Sequence, residues 1–182
     1  DNWILDADLK SAFDKVDHRF LLDTIGPVPG RELIKQWLKA GYVEAEMFHA
    51  TPEGVPQGGT ISPLLLNIVL NGMQDLLLSF TTTRTYQPSS ATTYQTPLKR
   101  SLHTYGYCRY ADDLVVTAKT KADIEAIVPI LQKWLKPRGL ALNMEKTQIV
   151  NIQQGFPFLG FTLWHYSGKF LARPQKEKVL AF

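Results

Sequence analysis

The chain has 182 residues, of which 45% are hydrophobic and 20% charged, and its formal net charge is +3. This length and composition are typical of one large globular domain with a sizeable core. A single cysteine, Cys108, excludes an internal disulfide framework and a cysteine-based zinc site. The longest apolar stretch, residues 63–70, is too short to span a bilayer, so we expect no membrane partner.

The first elements in chain order are a strand and two helices. Residues 1–10 begin apolar and turn acidic, which predicts a buried strand. Helical spacing of apolar residues predicts a helix from Ser11, and a second helix after the Gly- and Pro-rich break at residues 26–30. Residues 42–51 have β character and predict a short strand.

The middle of the chain is predicted to contain one buried helix and one long loop. Ser62 at the N-cap and Pro63 at the first helical position predict a helix start. The residues that follow are apolar nearly all round, so we expect this helix to be buried. Residues 81–104 are rich in Thr, Ser, Gln and Tyr, which predicts a long flexible loop or insertion.

The last third of the sequence alternates β and helical patterns. Residues 105–118 predict a β-hairpin, and Thr120 begins a helix with a continuous apolar stripe. Residues 140–152 are predicted to be extended, and residues 156–172 to form a second hairpin. The whole order predicts an α+β fold in which helices pack on one face of an antiparallel sheet.

The turn of the first predicted hairpin is acidic. Asp112 and Asp113 are adjacent there, and neighbouring carboxylates repel each other unless a cation neutralises them. Hard divalent cations prefer such oxygen ligands together with substrate phosphates. The pair therefore predicts a phosphoryl-transfer site, although an exposed Asp-Asp turn without any role is the alternative.

A two-metal site needs a further carboxylate from another segment. Asp6 and Asp8, at the end of the first predicted strand, are two residues apart and so share one face of that strand. Strand geometry does not choose between them. The alternative is that one of them only caps the helix that follows.

Five segments in order resemble motifs A to E of the reverse transcriptases, in the form found in group II intron-encoded enzymes. The segments are residues 6–14 for motif A, 56–67 for motif B, 110–113 for motif C, 138–140 with 142–147 for motif D, and 158–161 for motif E. The resemblance implies a reverse-transcriptase-like palm, with part of the fingers, over residues 1–182. Because the chain starts within one pattern and stops within another, we expect it to be a fragment of a longer protein.

The resemblance also implies the metal ligands. The metal aspartate of motif A lies five residues before an aromatic residue, which selects Asp8 and pairs it with Phe13. Asp8 and Asp112 would then be direct ligands of two Mg²⁺ ions, for which Mn²⁺ is an alternative. Asp113 would be a more peripheral ligand, and the carbonyl of Leu9 a further one.

The same resemblance implies substrate contacts. Phe13 would exclude a 2′-hydroxyl and so select deoxynucleotides; its alternative is a core aromatic on the helix stripe. Gln57 would contact the incoming nucleotide, while Gly58 and Gly59 let backbone approach the template pair. Lys146 would lie near the departing pyrophosphate, or else be an ordinary solvated lysine.

Motif E implies a primer grip, which would hold the primer terminus. Its residues are Phe158, Leu159, Gly160 and Phe161. The alternative is that the two phenylalanines belong to the core.

The function implied is RNA-directed DNA polymerase, in which a primer 3′-hydroxyl attacks the α-phosphate of a dNTP. We expect an RNA template, a DNA primer, dNTP and intron RNA as partners, and a bacterial cytoplasmic or an organellar location. We expect the fragment alone to polymerise poorly or not at all. The alternatives are a non-catalytic maturase module that binds intron RNA, a CRISPR-associated enzyme of the same lineage, and an RNA-dependent RNA polymerase, which Phe13 and the wording of motif B disfavour.

Overall fold

A computed structural model describes residues 2–44, 47–49, 53–55, 60–86 and 98–175. The strands are β1 (Trp3–Ala7), β2 (Tyr42–Glu44), β3 (Met47–His49), β4 (Thr81–Tyr86), β5 (Leu98–His103), β6 (Tyr105–Tyr110), β7 (Asp113–Ala118), β8 (Gln148–Asn151), β9 (Phe156–Phe158), β10 (Phe161–Tyr166) and β11 (Lys169–Pro174). The helices are α1 (Ala12–Lys15), α2 (His18–Ile25), α3 (Arg31–Lys39), α4 (Ser62–Val69), α5 (Met73–Ser79) and α6 (Lys121–Leu135), with a 3₁₀ turn at Lys136–Arg138.

Four antiparallel strands form the central sheet in the order β6-β7-β1-β8. β1 is an interior strand, and its end pairs with the start of β7, where Ala7 lies opposite Leu114. Asp6 lies opposite Val115 on one side and Gln148 on the other. This register brings the end of β1 beside the β6–β7 turn.

The helices cover one face of this sheet, as the sequence predicts. Leu5 on β1 and Val116 on β7 are fully buried in the same cluster as Leu66 of α4 and Leu131 of α6. Side chains alternate between the two faces of a sheet, so the strand residues next to Leu5 and Val116 point to the opposite face. The larger core therefore lies between the sheet and its helices.

A second, smaller sheet covers the opposite face. Its order is β11-β10-β9, and Phe156 of β9 is buried against Ile4 and Val115 of the central sheet. Leu163 of β10 packs against the same group. The site described below lies at the edge where these two sheets meet.

Three predicted helix features differ from the structure. The helix predicted from Ser11 is two helices, α1 and α2. The backbone leaves the helical conformation at Val16, the C-cap of α1, where ψ is 125°. Asp17 then caps α2 by accepting a hydrogen bond from the Phe20 amide at 2.6 Å. The N-cap of α4 is Ile61, one residue before the predicted Ser62. Leu64 of α4 is 57% exposed, so this helix is buried on one face only. Among the described helices, none combines the length and apolarity needed to cross a membrane.

The prediction of a flexible loop at residues 81–104 is wrong at both ends of the segment. Residues 81–86 and 98–103 pair as antiparallel strands, from Thr81 opposite His103 to Tyr86 opposite Leu98. Threonine is β-branched and fits a strand, although its polarity favours a loop in a composition-based reading. Residues 87–97 lie outside the described residues.

Candidate active site

Carboxylates from two strands line one cavity at the edge of the central sheet. Asp6 and Asp8 follow Ile4 at intervals of two, and Asp113 precedes Val115 by two, so all three lie on the face that carries the smaller sheet. The cavity has a volume of about 320 Å³. Its lining residues are Asp6, Ala7, Asp8, Asp113, Lys146, Pro157, Phe158, Leu159, Gly160 and Gln175.

The acidic hairpin turn is as short as an antiparallel turn can be. Tyr110 pairs with Asp113, which leaves only Ala111 and Asp112 in the loop. Ala111 has φ 52°, a left-handed conformation that a residue with a Cβ adopts at a cost. Asp113 lines the cavity, whereas Asp112 is a half-buried turn residue outside its lining. The expected ranking of Asp112 as the direct and Asp113 as the peripheral ligand stays a prediction.

The carboxylates of the cavity repel one another. Burial, followed by the charges of Asp113 and Asp8, raises the pKa of Asp6 to about 6. Burial, followed by the charges of Asp112 and Asp8, also raises the pKa of Asp113, while Lys146 opposes this rise. These shifts have the sign expected where negative charges gather without enough compensating positive charge.

Lys146 supplies positive charge at this place. Its Nζ lies 3.1 Å from Oδ2 of Asp8, although the lysine side chain is 70% exposed. The loop that carries Lys146 is fixed to the end of β1, because the Asn143 amide donates to the Asp8 carbonyl at 2.8 Å. The Lys146 amide in turn donates to the Asn143 carbonyl at 3.1 Å. Backbone hydrogen bonds therefore hold this lysine beside the predicted metal ligand.

The donor set suits a hard divalent cation. Carboxylate oxygens are the ligands that Mg²⁺ prefers. Bound cations would relieve the repulsion that, after burial, contributes to the raised pKa values of Asp6 and Asp113. Among the residues that the structure describes, no three histidine, cysteine or acidic side chains are arranged to hold a metal ion together. The present neighbour of Asp8 is the Lys146 ammonium. Leu9 is buried and forms an isolated antiparallel β-bridge with Leu142. The role of its carbonyl as a metal ligand stays a prediction.

Phe13 lies on α1 and is not among the residues that line this cavity. Its side chain is half-buried and packs against the larger core. This placement leaves both readings open, since a partly exposed aromatic can pack on the core and still present an edge to a sugar.

The predicted primer grip is a tight turn beside the carboxylates. Phe158 pairs with Phe161, and Leu159 and Gly160 between them have φ 49° and 81°. Phe158 packs against the smaller core, whereas Leu159 and Phe161 are 46% and 45% exposed. Phe158, Leu159 and Gly160 line the cavity, and Phe161 does not. The expectation that both phenylalanines could be core residues therefore fits Phe158 better than Phe161.

The motif B loop cannot be placed in this site. Gln57, Gly58 and Gly59 lie outside the described residues. Their contacts with nucleotide and template stay predictions.

Sequence reasoning missed several residues around the site. Gln175 lines the cavity because its amide donates to the Gly160 carbonyl at 2.9 Å, a contact that no local pattern signals. Arg109 bonds the acidic turn to α4 through Asn67, and its position next to the motif was the available signal. Asp6 was not missed, because the sequence named it with Asp8 as a candidate carboxylate on one strand face, and both line the cavity.

Comparison with solved structures identifies the fold. Telomerase from Candida tropicalis in its apo form superposes with a TM-score of 0.65 at 14% sequence identity, covering 93% of this chain and 32% of that chain. Telomerase from Candida albicans, in complex with a fragment of telomeric RNA, gives a TM-score of 0.60 at 13% identity and covers 96% of this chain and 30% of that chain. Identities this low establish the fold alone, which is the α+β palm expected from the sequence.

Curated relatives are similar over most of this chain. Protein YkfC of Escherichia coli K12 is 39% identical over 180 residues, covering 88% of this chain and 46% of that protein. The group II intron-encoded protein LtrA of Lactococcus lactis is 28% identical and covers 88% of this chain and 35% of LtrA. The putative COX1/OXI3 intron 2 protein of Saccharomyces cerevisiae is 26% identical, with 88% and 23% covered. The chain thus spans less than half the length of these relatives.

The family model described as reverse transcriptase (RNA-dependent DNA polymerase) matches residues 1–163, which include the whole carboxylate site. Members of this family generally use divalent metal ions. The chain therefore belongs to the reverse transcriptase family, in which group II intron-encoded proteins are among its relatives.

Proposed function

We propose that this chain is the catalytic palm of an RNA-directed DNA polymerase that extends a DNA primer on an RNA template. The observation that carries the proposal is the single cavity lined by Asp6, Asp8 and Asp113 on one side and by residues 158–160 on the other. Such a cavity combines oxygen atoms that can bind cations with a turn that can hold the end of a DNA primer. Membership of the reverse transcriptase family supports the same activity.

In this proposal, Asp8 and Asp112 would hold two Mg²⁺ ions, and Asp113 and the Leu9 carbonyl would be further ligands. The chemistry that such ions supply when bound is activation of the primer 3′-hydroxyl and stabilisation of charge on the triphosphate. The protein fixes the carboxylates by ending β1 and β6 at the same edge of the central sheet. Asp6, beside them, adds negative potential that favours cation binding.

Lys146 has a proton-bearing ammonium at the edge of the cavity. Its contact with Asp8 is a 3.1 Å ion pair on a side chain that is mostly exposed. Exposed ion pairs of this kind are weak, so releasing Nζ from Asp8 would cost little free energy. The released ammonium would then face the departing pyrophosphate.

The remaining roles concern the substrates. Phe13 would exclude a 2′-hydroxyl, Gln57 and Gly58 would contact the nucleotide and template pair, and residues 158–161 would hold the primer terminus. Because several relatives are intron proteins, we include intron RNA among the partners. The protein would then be located where that intron RNA is, in a bacterial cytoplasm or in an organelle.

A module that only binds RNA fits the site less well. Clustered carboxylates repel the phosphates of RNA. Here burial, followed by the neighbouring negative charges, raises the pKa values of Asp6 and Asp113, so the cluster is also costly to the protein itself. Binding alone gives no physical reason to keep them together.

Primer extension by the full-length protein tests the proposed function. A labelled DNA primer annealed to an RNA template is incubated with Mg²⁺ and dNTPs, and extension to the template end is expected. Binding of the primer–template is measured in parallel by fluorescence anisotropy. A protein that binds the primer–template and adds no nucleotide would contradict the proposal.

A further inference from the structure

The guanidinium of Arg109 joins three separate elements around the acidic turn. Its Nη1 donates to the Ala111 carbonyl at 2.8 Å and to Oδ1 of Asn67 on α4 at 2.7 Å. Its Nε donates to the hydroxyl of Tyr107 at 3.0 Å, and the Tyr107 side chain is half-buried against the larger core. One planar group therefore bonds the turn, a helix and a core aromatic.

The turn needs such support. β6 is an edge strand of the four-stranded sheet, so only β7 pairs with it among the described strands. Ala111 has φ 52°, a conformation that persists in a non-glycine residue only when its surroundings enforce it. The bond from Arg109 to the Ala111 carbonyl acts on this strained residue directly, and Asp112 is the next residue in the chain.

We infer that Arg109 is a positioning residue, which fixes the Asp112-Asp113 turn against α4 through Asn67 and so sets where the two carboxylates lie. The inference rests on the proposed function only for its consequence in catalysis. Arg109 does not line the cavity.

A lysine at position 109 would keep the positive charge and lose the three hydrogen bonds that Arg109 makes. An ammonium has no rigid fork, so it cannot hold Asn67, the Ala111 carbonyl and the Tyr107 hydroxyl at once. Displacement of a catalytic carboxylate by about 1 Å is enough to slow a reaction by one or two orders of magnitude. Arg109→Lys therefore separates positioning from charge, and Asn67→Ala removes the α4 anchor from the exposed side.

Hydrogen exchange in the full-length protein tests the inference without any polymerase activity. In Arg109→Lys and in Asn67→Ala, amides of residues 109–114 should exchange about tenfold faster or more, while amides of α6 keep their rate. Arg19→Lys is the matched control, because this arginine is 91% exposed on α2. Unchanged exchange at the turn in both variants would overturn the inference.

Kinetics of the same variants test the consequence for catalysis. In primer extension, kcat should fall about tenfold or more in each variant, while the affinity for primer–template stays the same. The double variant should be no slower than Arg109→Lys alone. Both changes break the hydrogen bond between Arg109 and Asn67, so their effects should not add. Loss of thermal stability with an unchanged kcat would reduce Arg109 to a structural residue. An inactive wild type would instead contradict the proposed function, and hydrogen exchange would still decide the role of Arg109.

Discussion

At the scale of single residues, the site is organised by repulsion. Asp6, Asp8 and Asp113 share one cavity, and among the described residues Lys146 is the only one with a basic side chain that lines it. The sequence predicted Asp8 and Asp113 because adjacent and alternating carboxylates are visible in the chain. Strand geometry alone could not rank Asp6 against Asp8. The choice of Asp8, and of Asp112 over Asp113, came from the motif resemblance and stays a prediction, because such a ranking depends on which side chain faces the cavity after the sheets have packed.

Asp6 gives a pH-dependent prediction. Its pKa is about 6 in the folded protein and 3.8 without the fold, so the native state binds more protons between these values. Stability due to this group is therefore highest below pH 4 and falls as the pH rises through 6. Without divalent ions, Asp6→Asn should raise the free energy of unfolding at pH 7.5 by roughly 1 to 2 kcal/mol, and change it little at pH 4.

Urea unfolding at both pH values measures this difference. Asp23→Asn is the control, because the Asp23 side chain is 67% exposed on α2 and should show little change. An Asp6→Asn variant that gains no more stability at pH 7.5 than at pH 4 would contradict the assignment.

Substitution of Phe13 distinguishes its two possible roles, exclusion of the 2′-hydroxyl and packing in the core. If it excludes the 2′-hydroxyl, Phe13→Val should lower the preference for dNTP over rNTP, measured as a ratio of kcat/KM, by about tenfold or more. If it is only a core aromatic, the ratio stays unchanged and the free energy of unfolding falls by about 1 to 3 kcal/mol. Its half-buried position on α1 makes some loss of stability expected in either case.

At the scale of elements, local signals gave the right answer where one segment decides its own structure. The hairpin β6–β7 and the helix α6 were predicted closely, because Thr120 and Asp123 form a capping box and apolar residues follow at helical spacing. The prediction of a flexible loop failed at residues 81–86 and 98–103, where partner strands decide the outcome, while the alternative of an insertion stays a prediction. Pairing of distant residues is invisible to composition.

Gly139 shows how one backbone position holds two elements together. It follows the 3₁₀ turn after α6, has φ 76°, and an added Cβ would lie 2.2 Å from the Lys15 carbonyl oxygen. Gly139→Ala should therefore cost about 3 kcal/mol or more of unfolding free energy. Gly168 has nearly the same φ, 77°, with open space around it, so Gly168→Ala should cost only about 1 kcal/mol. Equal losses in the two variants, measured by urea unfolding, would show that the contact with Lys15 does not matter.

At the scale of the whole molecule, the site depends on how two sheets meet. The packing of helices on one face of the central sheet was predicted from the order of β and helical patterns along the chain, and the motif order indicated the family. The hairpin of the smaller sheet was predicted, but its packing on the other face of the central sheet was not. That packing brings Phe156 against Ile4 and Val115, which lie more than forty positions away in the chain. That packing places Phe158 and Gly160 opposite the carboxylates.

The central claim is that carboxylates at this edge of the central sheet catalyse nucleotide addition. Its most direct test is single-nucleotide primer extension by the full-length protein carrying Asp8→Asn or Asp112→Asn, with Asp23→Asn as control. We expect each catalytic-site change to lower kcat by about a thousandfold or more while primer–template binding is retained, and the control to keep its activity. Retained extension in Asp8→Asn or Asp112→Asn would contradict the account.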